Sequence, residues 1–311
     1  MADSGANVLE IPPGDIAMQD KPFAIGGFGE VYKAKWRHKN VVVKVIRMKE
    51  EEKQEILQEA NLTFFLRHPN IIDLMGVTYV KSWQIGIVME EAKHGSLDQW
   101  IGKIDQEQLT KIALGITDGL KYVHLYKVIH RDIKPMNILM FGRKAGMIPK
   151  LADFGSAKII QRVTKNTKVG DFIHMAPEVA QHCQYGFPAD IFSLAMMLFE
   201  MFNEQLITEA TAEVQRFVSD VHAGKIVKIP KSCKVPPYLR NIIERGLNKK
   251  PEDRPTLTEY QATLHGKIVF VSACNKTHSF FGKGVRYKNG RYYLTPSLLA
   301  GVGGMAVPDV L

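Results

Sequence analysis

The chain has 311 residues, 45% of them hydrophobic and 23% charged, which excludes a collagen-like, mucin-like or wholly disordered protein. Its formal charge of +9 is uneven, because Gly266 to Leu311 hold six basic residues against Asp309 alone. Three cysteines (Cys183, Cys233, Cys274), none in a CxxC pair, argue against a disulfide framework or structural zinc site and point to a reducing compartment.

In chain order, residues 1–20 read as a flexible leader: Asp3 and the lack of an apolar core are unlike a signal peptide, and Pro12-Pro13-Gly14 breaks any helix. Strand-like runs follow at Val31–Trp36 and Val41–Ile46, with a hairpin connection between them. Glu50 to Leu66 reads as a helix with Ile56, Ala60, Thr63 and Phe64 near one stripe, stopped by His68-Pro69-Asn70. Two more strands are expected at Ile71–Val80 and Gln84–Met89. After Gly95 the pattern turns helical, with apolar residues at Leu109, Ile112, Ile116, Leu120 and Val123. Further helical runs lie at 191–202, 211–222, 237–247 and 256–264, and the stretch from His130 to Pro177 is poorly periodic. The longest strongly apolar stretch, Ile191 to Phe202, contains Glu200 and falls short of the roughly 20 residues a bilayer requires. A cytoplasmic location is expected, with the nucleus the alternative.

Three constellations carry chemistry. In Ala24-Ile25-Gly26-Gly27-Phe28-Gly29-Glu30-Val31, glycines between two strands let backbone N–H groups approach polyphosphate oxygens. An unliganded hairpin turn has the same composition. Lys44 sits in an apolar strand, where it either snorkels outward or reaches in to a phosphate. Glu59, in the next helix, is the candidate acid to position it. His130-Arg131-Asp132-Ile133-Lys134-Pro135-Met136-Asn137 is far more specific. Asp132 suits a group that accepts or orients a hydroxyl proton, and Lys134 one that neutralises a migrating phosphoryl group. Asn137 and the Asp153 of Asp153-Phe154-Gly155 offer hard oxygens to Mg2+.

In motif content and order, residues 23 to 264 resemble a eukaryotic-type protein kinase domain. The resemblance implies an α+β, bilobal fold over 21–265. A small β-rich N-lobe with one helix would span about 21–92, and a larger, mainly helical C-lobe about 93–265. Residues 266–311 would be a basic, glycine-rich tail. ATP would lie between the lobes against Phe23, Ile25, Gly26, Gly27, Gly29, Val31, Val42, Lys44, Met89, Glu90, Ala92, Ser96 and Leu139. Lys44 would hold the phosphates, anchored by Glu59. Asp132 and Lys134 would serve the transfer, and Asn137 and Asp153 would carry Mg2+. Met175-Ala176-Pro177-Glu178 would close the activation segment, with Glu178 paired to Arg254. Arg131 would clamp a phosphate on Thr164 or Thr167, a regulatory trio.

Lys134-Pro135 resembles the serine/threonine-specific pattern, and Gly95-Ser96-Leu97 the tyrosine-kinase-like group. Protein substrates are implied, without a strong preference for arginine upstream of the target, given Met136. Five positions depart from the family pattern: Ala24, Val42, Asp171, His174 and Ala195. Asp171 would compete for Lys134 and repel Asp132. An active kinase is therefore set beside a nucleotide-binding pseudokinase scaffold, and the intact set Lys44, Glu59, Asp132, Asn137 and Asp153 favours the first. The tail reads either as a separate attachment segment or as a disordered one, the reading favoured being disorder or order gained only with a partner or a second copy. A nucleic-acid role has only Tyr287, Arg291, Tyr292 and Tyr293 behind it, which is no specific motif.

Overall fold

Parity along two strands organises the upper part of the molecule. β3 (Gly29–Trp36) and β4 (Lys39–Arg47) are joined through Arg37 and His38, whose φ values of 45° and 64° match the twist of a tight hairpin. Their register sets Val31 opposite Lys44 and Lys33 opposite Val42, so these four share one face. Tyr32, Ala34, Val41 and Val43 share the other. β6 (Gln84–Glu90) pairs antiparallel with β4 and carries Ile87 and Met89 onto the Lys44 face, while β5 (Leu74–Lys81) forms the far edge. β1 (Ile16–Met18) and β2 (Ala24–Gly26) both pair with β3.

The structure, a computed structural model, describes residues 8–26, 29–144, 146–154, 158–159, 172–181, 185–276, 285–288 and 291–294. They fall in two compact units, Met1–His265 and Gly266–Leu311.

In the first unit, α1 (Glu50–Phe65) packs Ala60 against Met48, Leu74, Val77, Ile85 and Ile87. On the outer face Ala34, Val41, Val43, Val45 and Val88 form a separate cluster. The leader expected as flexible differs from residue 8 onward. Ile11 N–H donates to Val77 O (2.7 Å) and Val77 N–H to Leu9 O (2.8 Å), so the segment covers the β5 edge before continuing into β1. Val8 and Ile11 are buried, one in each cluster.

The helical part is built on α2 (Gln106–Leu125), capped by Asp105, whose side chain accepts from Gln108 N–H (2.8 Å). Leu109, Ile112, Ile116, Leu120 and Val123 are all buried, as their spacing predicts. α3 (Pro177–Ala180) is a single turn; α4 (Phe187–Asn203) is buried nearly all round, and α5 (Ala212–His222), α6 (Pro237–Gly246) and α7 (Leu257–Lys276) follow. β7 (Val128–Ile129) leads into the poorly periodic stretch, which holds the hairpin β8 (Ile138–Arg143) with β9 (Gly146–Leu151), and β10 (Lys158–Ile159) paired to β7.

His68-Pro69-Asn70 does more than stop α1. Asn70 docks on α2, where a Cβ at Gly119 would lie 2.7 Å from Asn70 O and one at Gly115 2.7 Å from Asn70 Nδ2. Leu151 N–H donates to Asn70 O and Ile72 N–H to Leu151 O, both at 2.9 Å. The two lobes thus meet through backbone bonds beside a glycine notch. In the second unit β11 (Val285–Lys288) pairs antiparallel with β12 (Arg291–Leu294). Among the described residues no helix is long and apolar enough to cross a membrane.

Candidate active site

The short loop between β7 and β8 brings the catalytic-loop residues together, and a buried aspartate from α4 holds it. Asp190 accepts the backbone N–H groups of His130 (2.9 Å) and Arg131 (2.8 Å) and meets His124 Nε2 at 2.8 Å. Burial works to raise its pKa, but the His124 bond and charge, with the loop N–H donors, hold it below the usual aspartate value. Burial lowers the pKa of His130, which stays neutral. Its Nε2 faces Ala152 O at 3.2 Å and its Nδ1 faces Asp132 N–H at 3.4 Å, so the proton belongs on Nε2. Arg131 and Asp153 have positive φ, 69° and 59°. Such backbone costs on the order of 1–3 kcal/mol per residue and persists only where its surroundings over-determine it.

Asp132 is buried and heavily bonded. Asn137 Nδ2 donates to its backbone O and its Oδ2, both at 2.8 Å, and Lys134 Nζ lies 3.0 Å from its Oδ1. Only the NH2 end of Asn137 can donate to two acceptors, which turns its amide oxygen away from Asp132. β8 and β9 pair Ile138 with Leu151, and Ala152 N–H donates to Asn137 O at 2.9 Å. The chain therefore delivers Asp153 beside Asn137. From the sheet above, Lys44 Nζ reaches Asp153 Oδ1 at 2.8 Å.

Glu59 completes this group from α1. Burial pushes its carboxyl up to about 8, the Lys44 charge pulls against that, and Asp153 adds to it. A protonated acid is a weak anchor for an amine, so the geometry joins Lys44 to Asp153 first and keeps Glu59 as a neighbour of both. Asn137 and Asp153 supply two hard oxygens, and among the described residues no group of three or more His, Cys, Asp or Glu gathers as a metal cage. That donor set fits Mg2+ shared with substrate phosphates, since this ion dehydrates reluctantly and takes few protein ligands.

Val31, Val42 and Met89 share the sheet face that carries Lys44, with Val42 and Met89 cross-strand partners. Beneath, Ser96 bridges to Leu139, and Met140 N–H donates to Gly95 O at 2.9 Å. Between them Ala92 O accepts from Gly95 N–H at 3.3 Å, turning the connecting strip. Glu90 has a further duty: its Oε1 accepts from Asp73 N–H (2.8 Å) and Lys150 Nζ (2.5 Å). Phe23 and Ile25 are exposed, at 54% and 77%, and Gly26 pairs with Gly29 at the tip of the β2–β3 ladder. Gly27, Thr164, Thr167 and Asp171 lie outside the described residues.

Sequence reasoning missed two supports and anticipated a third. Arg131 Nη1 donates to Tyr185 OH at 2.9 Å. His174 is buried and its Nε2 meets Glu200 Oε2 at 2.7 Å. The expected pairing of Glu178 with Arg254 is present as a two-pronged contact at 2.6 and 2.8 Å. Of the two that were missed, only the lone Glu200 in an apolar helix gave a signal, because a buried acid needs a partner.

A curled sheet with one helix, a helical body, and a lysine and two carboxylates meeting between them define the class of the protein kinases. The family model described as protein kinase domain matches residues 20–265, and the chain belongs to that family. It is 30% identical over 257 residues to Serine/threonine-protein kinase STY17 of Arabidopsis thaliana, covering 80% of this chain and 44% of that one. Mitogen-activated protein kinase kinase kinase 10 of Xenopus laevis is 30% identical over 279 residues, with 84% of this chain and 27% of the relative covered. Serine/threonine-protein kinase VIK of Arabidopsis thaliana is 32% identical over 251 residues, 75% of this chain and 56% of its own. The chain thus spans about a quarter to just over half the length of these relatives.

Proposed function

We propose that the chain is an active kinase, transferring the γ-phosphoryl group of Mg·ATP to serine or threonine hydroxyls of protein substrates in intracellular signalling. The observation that carries this reading is the convergence of Lys44, Asp153, Asn137, Asp132 and Lys134 at one cleft, each held by a direct contact. The names of the relatives and Lys134-Pro135 support the hydroxyl specificity.

Lys44 would bind the inner phosphates, and Asn137 and Asp153 would hold Mg2+, which neutralises phosphate charge when bound. Asp132, fixed by Asn137, would orient the acceptor hydroxyl and take its proton as the oxygen–phosphorus bond forms and the bond to ADP breaks. Lys134, 3.0 Å from that carboxylate, is placed to balance charge on the group in flight. Catalysis here is positioning and electrostatics, which can lower a barrier by roughly 7–11 kcal/mol through orientation alone. Adenine would lie between Val31, Val42 and Met89 above and Leu139 below, its edge on the backbone of 90–92, the ribose near Ser96, and Phe23 and Ile25 at the mouth.

Phosphorylation of Thr164 or Thr167 would draw Arg131 by charge-assisted hydrogen bonds. The cysteine pattern supports a cytoplasmic location. The test is transfer of labelled γ-phosphate from Mg·ATP to a generic protein substrate, with Asp132→Asn as control. Nucleotide binding without transfer by the unaltered chain would instead identify a pseudokinase scaffold, and equal labelling by the variant would expose a contaminant.

A further inference from the structure

Residues 8–18 form a strap around the sheet, and its two ends serve different elements. At one end Val8 N–H donates to Asn61 Oδ1 (2.5 Å) on α1, and the Val8 side chain packs in the cluster that holds Ala60. The next residues pair with Val77 on the edge strand β5, and Ile11 enters the outer-face cluster. At the other end β1 pairs with the opposite edge, at β3. Ile11 to Ile16 can reach at most about 18 Å, whereas a flat sheet of this order would be about 24 Å across. The strap therefore fits only a curled sheet.

Asn61 lies two residues past Glu59, or about 200° further round the helix. The strap therefore grips α1 on the side away from Lys44, on the same helix that carries Glu59. Gly76 makes the crossing possible, because a Cβ there would stand 2.5 Å from Leu9 O and 2.8 Å from the Ile11 side chain.

We propose that this N-terminal strap is a positioning element for catalysis, holding α1 so that Glu59 stays against Lys44 and Asp153. The proposal rests on the kinase reading for its catalytic consequence and on geometry alone for the grip on α1. Two substitutions release the strap from different sides in the full chain. Asn61→Ala removes its acceptor while favouring helix, and Gly76→Ala obstructs its path; Asn61→Asp keeps an acceptor and serves as the rescue. Since small misplacements of reacting groups cost up to about a hundredfold, kcat should fall at least tenfold in both alanine variants, with KM for protein substrate little changed. Amide exchange over residues 50–65 should quicken, and Asn61→Asp should restore both readouts. Exchange and kcat at the unaltered level in the two alanine variants would overturn the proposal. If the unaltered chain transfers no phosphate, the kinase reading fails by itself. Amide exchange then still decides: faster exchange in α1 supports the strap's grip, and unchanged exchange refutes it.

Discussion

Replacing Arg254 with leucine tests how the segment beneath the cleft is held. The guanidinium is 1% exposed and its partner Glu178, in α3, is 11% exposed. Besides the two contacts with Glu178, Arg254 donates to Pro188 O (2.8 Å), Asn248 O (2.9 Å) and Lys249 O (3.4 Å), and its charge lies 5.2 Å from the Phe192 ring centroid. Arg254→Leu keeps apolar volume but strands a carboxylate that water barely reaches. Breaking one side of a buried pair costs about 3–5 kcal/mol, against total stabilities of about 5–15 kcal/mol. In a unit of this size each kcal/mol moves Tm by about 2–4 °C, so a drop of roughly 6–20 °C is expected. Glu178→Gln should cost less, because its amide oxygen still accepts from Arg254 and three carbonyls continue to hold the guanidinium. The double variant Glu178→Leu/Arg254→Leu should be more stable than the sum of its singles, by about 2 kcal/mol or more. Urea unfolding of the four proteins measures this directly. An Arg254→Leu protein within 2 °C of the unaltered Tm, with no coupling in the cycle, would refute the claim that the pair is buried and structural.

Three further outcomes are expected. Asp190→Asn leaves one acceptor for three convergent donors, so at about 1–3 kcal/mol per orphaned donor the variant should lose several kcal/mol and most of its kcat. Because the Asp190 pKa is depressed in the fold, its contribution is full above about pH 4 and is lost as pH falls through the lower folded value; acid unfolding followed by circular dichroism should therefore be flatter in this variant. For Glu59 the sign is opposite. Its folded pKa of about 8 lies above the usual 4.5, so the group erodes stability as pH rises from 4.5 to 8, and Tm of Glu59→Gln should gain on the unaltered protein across that window, measured by scanning fluorimetry. Gly246→Ala brings a Cβ within 2.1 Å of Tyr260 Oη and 2.6 Å of Ala195 Cβ. Overpacking at about 1–3 kcal/mol should outweigh the roughly 1 kcal/mol gained in helix propensity, lowering the urea midpoint.

The chemistry was legible in the sequence because a reaction fixes residue types at short spacing. Asp132, Lys134 and Asn137 fall within six residues, and one hairpin carries Asn137 to Asp153. Parity likewise puts Val42 and Lys44 on one face of β4, while only the β3–β4 register adds Val31 to it. What could not be read are contacts whose two halves lie far apart and whose residues are individually ordinary. Asn70 shows no sign of the Gly115–Gly119 notch, Lys150 none of Glu90, and Tyr185 none of Arg131. Val8 and Ile11 bury themselves as single side chains, Ile11 just before Pro12, without any period to betray a strand. The β8–β9 hairpin was hidden for the same reason: Pro149 and the glycines at 142 and 146 interrupt its alternation. His174 sharpens the point. In the sequence it is a departure from an aromatic position, while in the fold it is half of a buried pair whose other half, Glu200, also accepts from Ile207 N–H at 2.9 Å. Because the His174 ring is bonded as well as buried, an apolar replacement at 174 leaves Glu200 Oε2 without its histidine. That change should cost more than the lost volume, whereas Glu200→Gln, whose amide oxygen still accepts from Ile207 N–H while its NH2 can donate to the ring Nε2 in the other tautomer, should be tolerated better.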